Sequence, residues 1–252
     1  MHELATGVGD IGRGLAVLRA HPALWKWIIA PAIVSLVLLA ATVLGILHLV
    51  GPVVGWTTGH LPGWLAGAVG RILAVLLVAV LVAAALLLFT SVAGMIAGPF
   101  NEQLSEHVEA ELTGRPPSPF SPREFVHGAA TSLVHGVRRL LVALVGLAIV
   151  FAVGLVPVIG TIAAVVLGVW FAGTAAAYDC YDAVFGRRTM AYRDKLAYLA
   201  RHRGRTLGLG LAVSGMLLVP GLNLIALGVG SAGATVAVHA LGRGAAPRGP
   251  GR

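Results

Sequence analysis

Val156-Pro157-Val158-Ile159-Gly160-Thr161-Ile162-Ala163 and Val219-Pro220-Gly221-Leu222-Asn223-Leu224-Ile225-Ala226 are the two stretches on which the fold turns. Each interrupts a long apolar run, Leu140 to Tyr178 in one case and Thr206 to Leu241 in the other, and neither run contains Asp, Glu, Lys or Arg. Aligned on their prolines, the runs share an Ile-Ala pair at the same offset, Ile162-Ala163 and Ile225-Ala226. Proline lacks a backbone donor and drives the residue before it out of the helical region, so each run should split into a hairpin of two apolar helices.

Length decides what such hairpins can do. A hydrocarbon core of about 30 Å takes about 20 helical residues to cross. The arms before the prolines, Leu140 to Val156 and Leu207 to Val219, reach only about 25 and 20 Å at the helical rise. Both hairpins are therefore expected to penetrate partly and return to the face they entered from. The alternative is four short, tilted spanning helices in a locally thinned bilayer.

Composition points the same way. Hydrophobic residues make up 58% of the 252 residues and charged residues 11%, with a mean hydropathy of +0.90. Soluble domains are about one quarter charged, so the chain is expected to be an all-α integral membrane protein in one domain. The formal charge of +8 could suggest nucleic acid, but the basic residues sort by topology. Of the 18 Lys and Arg, only Arg71 falls between the first two long apolar runs. Positive-inside sorting gives that pattern when both termini are cytoplasmic, which excludes nucleic acid as the partner and makes the lipid bilayer the partner instead. The single Cys180 rules out an intramolecular disulfide and suits a reducing compartment.

Outward from the hairpins, residues 1–20 carry Leu4, Val8, Ile11, Leu15 and Leu18 at helical spacing with Asp10, Arg13 and Arg19 off the stripe, which predicts an interfacial helix lying on the membrane. Residues 28–50 and 72–98 read as the two transmembrane helices. Between them Gly51 to Gly70 reads as an external Pro/Gly-rich segment carrying Trp56 and Trp64. Gly98-Pro99 should stop the second span and Asn101 cap a separate amphipathic cytoplasmic helix over 101–114, rich in glutamate. Residues 140–178 and 206–241 form the two hairpins, the charged stretch from Asp179 to Arg205 lies against anionic lipid, and 242–252 reads as a disordered basic tail.

No catalytic arrangement presents itself. The histidines form no zinc-like spacing, and His107, His127 and His135 beside the acidic helix suit solvated side chains better than ligands. No metal and no cofactor is expected. Neither spanning helix carries Asp, Glu, Lys or Arg, which turns the reading from cation pumping toward an anion or toward no transport. Helix N-termini can hold anions without buried charge. Trp25-Lys26-Trp27, opening the first span, is the sharpest candidate because it brings its own cation; the plainer reading of those residues is an interfacial anchor.

The chain resembles the CysZ sulfate permease family, which shares its domain with the eukaryotic etoposide-induced membrane proteins. Four stretches carry the resemblance: Gly14 to Pro31; Ala97-Gly98-Pro99-Phe100-Asn101-Glu102-Gln103-Leu104 continuing to Gly114; Val156 to Gly160 with Tyr178-Asp179-Cys180-Tyr181-Asp182; and Val219 to Ile225 with Gly233-Ala234-Thr235. The resemblance implies two spanning helices plus two partly penetrating hairpins, assembly into a homo-oligomer, and sulfate transport across the bacterial cytoplasmic membrane for cysteine biosynthesis. It also implies an oxyanion held beside two adjacent basic residues ahead of the first span, positions that read Trp25 and Lys26 here, after Leu24. Lys is a point charge and lacks the bidentate fork of Arg. Pro99, Phe100, Asn101, Pro157, Gly160, Pro220 and Asn223 are the motif residues expected to be structural or to line the pathway. A non-transporting membrane scaffold, binding a partner through the acidic helix, is the alternative.

Overall fold

The computed structural model describes residues 2–59, 63–119, 121–123, 141–156, 159–188 and 190–245. In chain order it comprises α1 (His2–Ala20), a 3-10 turn (Pro22–Trp25), α2 (Lys26–Thr58) and α3 (Gly63–Thr113). There follow α4 (Leu141–Gly154), α5 (Ile159–Arg187), α6 (Tyr192–Arg201), α7 (Arg203–Leu217) and α8 (Asn223–Ala245). No strand occurs among the described residues. The protein is an all-α membrane protein, as a chain of this hydropathy must be where no water is present to satisfy open backbone groups.

The molecule is built around α8. In its most apolar stretch 67% of residues are buried by protein, against 0% in α2 and 17% in α5. One side of α8 gives Ala226, Ala234 and Val238 to a core with Tyr181, Phe185, Leu209 and Val213 from α5 and α7. The other gives Val229, Ala232 and Val236 to a core with Leu18, Ile28, Leu104 and Val108 from α1, α2 and α3. Small residues on α8 let its neighbours come this close. Away from this block α2 leaves Leu36, Val37, Leu44 and Leu47 exposed. That apolar surface has no counterpart in water-soluble proteins and belongs against lipid.

Four boundaries differ from the sequence reading. Pro99 lies inside α3, which runs from Gly63 to Thr113 without a stop, so Asn101 sits in mid-helix and caps nothing. Likewise α2 carries Pro31 and Pro52 in its interior and extends to Thr58, which makes most of the supposed external segment helical. A proline costs one hydrogen bond, but ending a helix in hydrocarbon would strand several, so the helix continues. The third difference concerns the hairpins. Their first arms, α4 and α7, are short, whereas α5 (29 residues) and α8 (23 residues) are both long enough to cross a membrane. Only the arms before the prolines are half-length rods. Finally, α8 takes in residues 242–245 of the expected tail; residues 246–252, Arg138, Arg139, His127 and His135 lie outside the described residues.

Helix α1 also departs from expectation. Its buried face is Gly7, Asp10, Gly14 and Leu18, while Val8 of the apolar stripe is 50% exposed. Leu18 of the stripe is fully buried and Ile11 and Leu15 are half-buried against the core, but they share the interior with glycines and a charge. A Cβ on Gly14 would stand 2.5 Å from the Gly233 nitrogen, so the two backbones are in direct contact there. Asp10, fully buried, accepts hydrogen bonds from Arg205 at 2.5 and 2.8 Å and from Arg13 at 2.9 Å. A paired charge on the inner face fastens α1 to the start of α7.

Candidate anion site at the α1–α2 elbow

The elbow begins at His21, where α1 ends, and turns through Pro22–Trp25 into α2. Pro22 has no N–H, and the N–H of Leu24 donates to the His21 carbonyl at 3.0 Å. The 3-10 turn runs straight into α2, with Trp25 already in helical conformation. Lys26 therefore does not open a fresh helix end with a fan of unsatisfied amides, and the amide-cradle reading of this site is corrected. What Lys26 offers at this elbow is its charge rather than its backbone.

The three candidate residues have distinct surroundings. Leu24 is buried in the core with Leu18 and Ile28, a packing residue. Trp25 is half-buried, and its indole Nε1–H donates to the Leu18 carbonyl at 3.1 Å. Lys26 is exposed, its ammonium 5.2 Å from the centre of the Trp27 ring. Among the described residues no carboxylate forms an ion pair with it. The aromatic face steadies the cation without neutralising it, which leaves its charge available to an anion.

Trp27 joins this elbow to α3. Its ring lies 6.2 Å from Phe100 and 5.4 Å from His107, and His107 Nδ1 is 2.8 Å from the Gln103 carbonyl. His21 Nδ1 lies 3.4 Å from Glu111 one turn further on. Of the motif residues, Phe100 thus reaches the elbow. Pro99 is buried and Asn101 half-buried beside it in sequence. Gly160 is buried at the base of α5, where a Cβ would strike the Val153 carbonyl and stand 2.6 Å from the Val156 side chain. Its role is the tight turn of the first hairpin, and among the described residues α5 makes no contact with α2. Pro220 and Asn223 are exposed at the tip of the second hairpin, beside Gly221 at φ +87°. Pro157 lies outside the described residues. His107, expected in solvent, is half-buried against Trp27.

With this geometry in view, the comparisons with known proteins are specific. The family model described as sulfate transporter CysZ/etoposide-induced protein 2.4 matches residues 10–227. The chain belongs to this family. A relative named sulfate transporter CysZ from Pseudomonas syringae pv. tomato is 31% identical over 235 residues, covering 92% of this chain and 90% of its own. One of the same name from Vibrio parahaemolyticus is 29% identical over 235 residues, covering 93% and 94%. With a third, from Pseudomonas fluorescens, the identity is 32% over 152 residues, and the match spans 59% of each chain.

This CysZ/etoposide-induced family member also holds a polar cluster that the sequence reading missed. Glu102, Ser105 and Glu109 follow one another at three and four residues, so they share a face of α3. That face meets α5, where Arg187 donates to Ser105 at 3.1 Å and to Glu109 at 2.5 Å, and Arg188 donates to Glu109 at 2.9 Å. Thr235 of α8 donates to Ser105 at 2.9 Å. Beside them Lys195 donates to Asp182 at 2.6 Å. Burial pulls the Glu109 carboxyl upward, but the hydrogen bonds and charges of Arg187 and then Arg188 outweigh it and hold Glu109 below its ordinary range. Glu102 is the opposite case. Burial, then the charge of Asp182, pushes its carboxyl up to about 7 against the weaker pull of Lys195 and Arg187. The spacing on α3 was legible in sequence; partners 78 residues or more away were not.

Proposed function

We propose that this protein carries sulfate, or a closely related tetrahedral oxyanion, across the bacterial cytoplasmic membrane to feed sulfate assimilation and cysteine synthesis. The observation that carries the proposal is the family match over residues 10–227, with relatives named sulfate transporters aligned along nine tenths of their length. In this reading Lys26 is the first contact of the anion, Trp25 and Trp27 fix its position, and Leu24 anchors the elbow to the core. The function is transport rather than catalysis. Both termini face the cytoplasm, the two hairpins re-enter rather than span, and several copies surround the pathway. Support for re-entry comes from the short apolar arms α4 and α7, and support for the anion from an exposed cation stacked on tryptophan.

The acidic helix fits this reading better than it fits a scaffold. Glu109 is engaged by Arg187 and Arg188, Glu106 accepts from the Ser118 amide at 2.9 Å, and Glu111 meets His21. Its charges are committed within the chain.

Radiolabelled sulfate uptake into proteoliposomes tests the proposal. Wild-type protein should take up sulfate above empty vesicles, and Lys26→Ala should slow uptake roughly tenfold, about the effect of losing one charge-assisted contact to the anion. Lys26→Arg should match or exceed wild type, because its fork engages two oxygens. No uptake by wild type would sink the proposal.

A further inference from the structure

A cavity of about 840 Å³ opens between α4, α5, α6 and α7. Its two ends differ in chemistry. Val142 and the rings of Trp170 and Phe171 line one end, while Tyr178 and Arg203 line the other. Trp170 and Tyr178 are eight residues apart on α5, so these ends stand about 12 Å apart along the helix. The apolar end does not close. Val142, Trp170 and Phe171 also line a second, almost wholly apolar cavity of about 420 Å³ that continues down the α4–α5 seam past Val145 and Ile149. A Cβ on Gly146 would run into the Phe171 ring, so α4 is drawn against α5 on one side of this channel.

The polar end carries positive charge. Arg187 and Arg188 are held by Glu109, and Arg205 by Asp10. Arg193, Arg201 and Arg203 are exposed, and among the described residues none of them forms an ion pair. Of these three only Arg203 lines the cavity, as Asp179 does; Arg193 and Arg201 adjoin the lining residues Tyr192 and Ala200 in the chain. Tyr178 and Tyr192, with ring centres 6.0 Å apart, flank the polar end as residues of the membrane interface do.

We propose that this paired cavity is a binding site for an anionic glycerophospholipid, with the phosphate at Arg203 and an acyl chain running past Trp170 and Phe171 into the α4–α5 seam. Charge and apolarity are arranged along one axis in the order a lipid presents them, and basic pockets between membrane helices are known to take such headgroups. The volume lies in the range of ordinary ligand sites. Lipid bound here would fill the gap between α4 and the α5–α6–α7 block and hold the first hairpin against it. The site is separate from the elbow at Lys26 and does not depend on what is transported.

Native mass spectrometry of the full-length protein tests this, with phosphatidylglycerol and phosphatidylcholine of matched acyl chains offered in equal amounts. Wild type should retain phosphatidylglycerol preferentially. Arg203→Ala should lower that retention roughly fivefold, the effect of one basic contact with an anionic headgroup, and Arg203→Lys should restore it. Val142→Trp, a change at an exposed residue that lines both cavities, should reduce retention of either lipid. Excess sodium sulfate should leave the adduct in place. Equal retention of the two lipids, indifference to Arg203→Ala, displacement by sulfate, or a groove covered only by a second copy of the chain would each overturn the assignment.

Discussion

Gly12 and Gly14 are two residues apart on α1, and their environments could hardly differ more. A Cβ at Gly12 would meet nothing within 4 Å, while one at Gly14 would press on the backbone of Gly233 at 2.5 and 2.8 Å. Backbone cannot rotate away, so Gly14→Val should cost about 3 kcal/mol or more, the upper end of overpacking penalties. Gly12→Val should be tolerated apart from its helix propensity; thermal melts in detergent compare the two. Asp10 invites a similar contrast. Removing it leaves Arg205, whose side chain is only 12% exposed, with its charge unpaired, at a cost of about 3 to 5 kcal/mol. Arg13, 57% exposed, should matter by about 1 kcal/mol or less. Glu102 supplies a pH test. Its carboxyl is raised from 4.5 to about 7 in the folded protein, so it weakens the fold as it ionises. Its contribution is full below about pH 4.5 and is lost as pH climbs through 7. Melting temperature should fall from pH 5 to pH 8 in wild type, and Glu102→Gln should flatten that fall by stabilising the protein at pH 8.

At the scale of elements, the apolar runs gave helices where the sequence placed them, because in a membrane hydrophobic length and helix are nearly the same statement. Their ends were harder to read. Pro99, Pro52 and Gly51 carry stop signals learned from water, where a freed carbonyl finds solvent. Inside α2 and α3 the surrounding apolar chain makes continuing the better choice. The hairpins were legible as pairs, but not the asymmetry between the short α4 and α7 and the long α5 and α8. The difference arises because each proline stands nearer the start of its run, leaving Ile159 to Tyr178 and Asn223 to Leu241 on the far side; α5 then continues into Tyr181, Val184 and Phe185, which are buried by α7 and α8 rather than by lipid. Re-entry has a direct test at this scale. In a Cys180→Ser background, Val219→Cys at the second tip should resist an impermeant maleimide added outside intact cells, and labelling there would mean the hairpin spans.

For the whole molecule, the class and family were legible from composition and four motif stretches. The association of the parts was not. Lys26 stood out because its charge lies next to two tryptophans in the chain; that Phe100 and His107 of another helix pack against Trp27 left no local sign. Asp10 looked like an exposed charge because its partner Arg205 is 195 positions away. Periodicity reports which face of a helix is apolar. It does not report that a glycine seam and one buried ion pair will share the interior with that face.

That long-range seam sets a timetable for making the protein. Helix α1 docks on Arg205, Gly208 and Gly233, residues made long after it. Until they arrive, α1 must wait with Asp10 uncovered, and any chain broken off before the second hairpin can never seat it. Such fragments should be cut by protease at α1 faster than the chain that includes α7 and α8, which limited proteolysis in membranes measures.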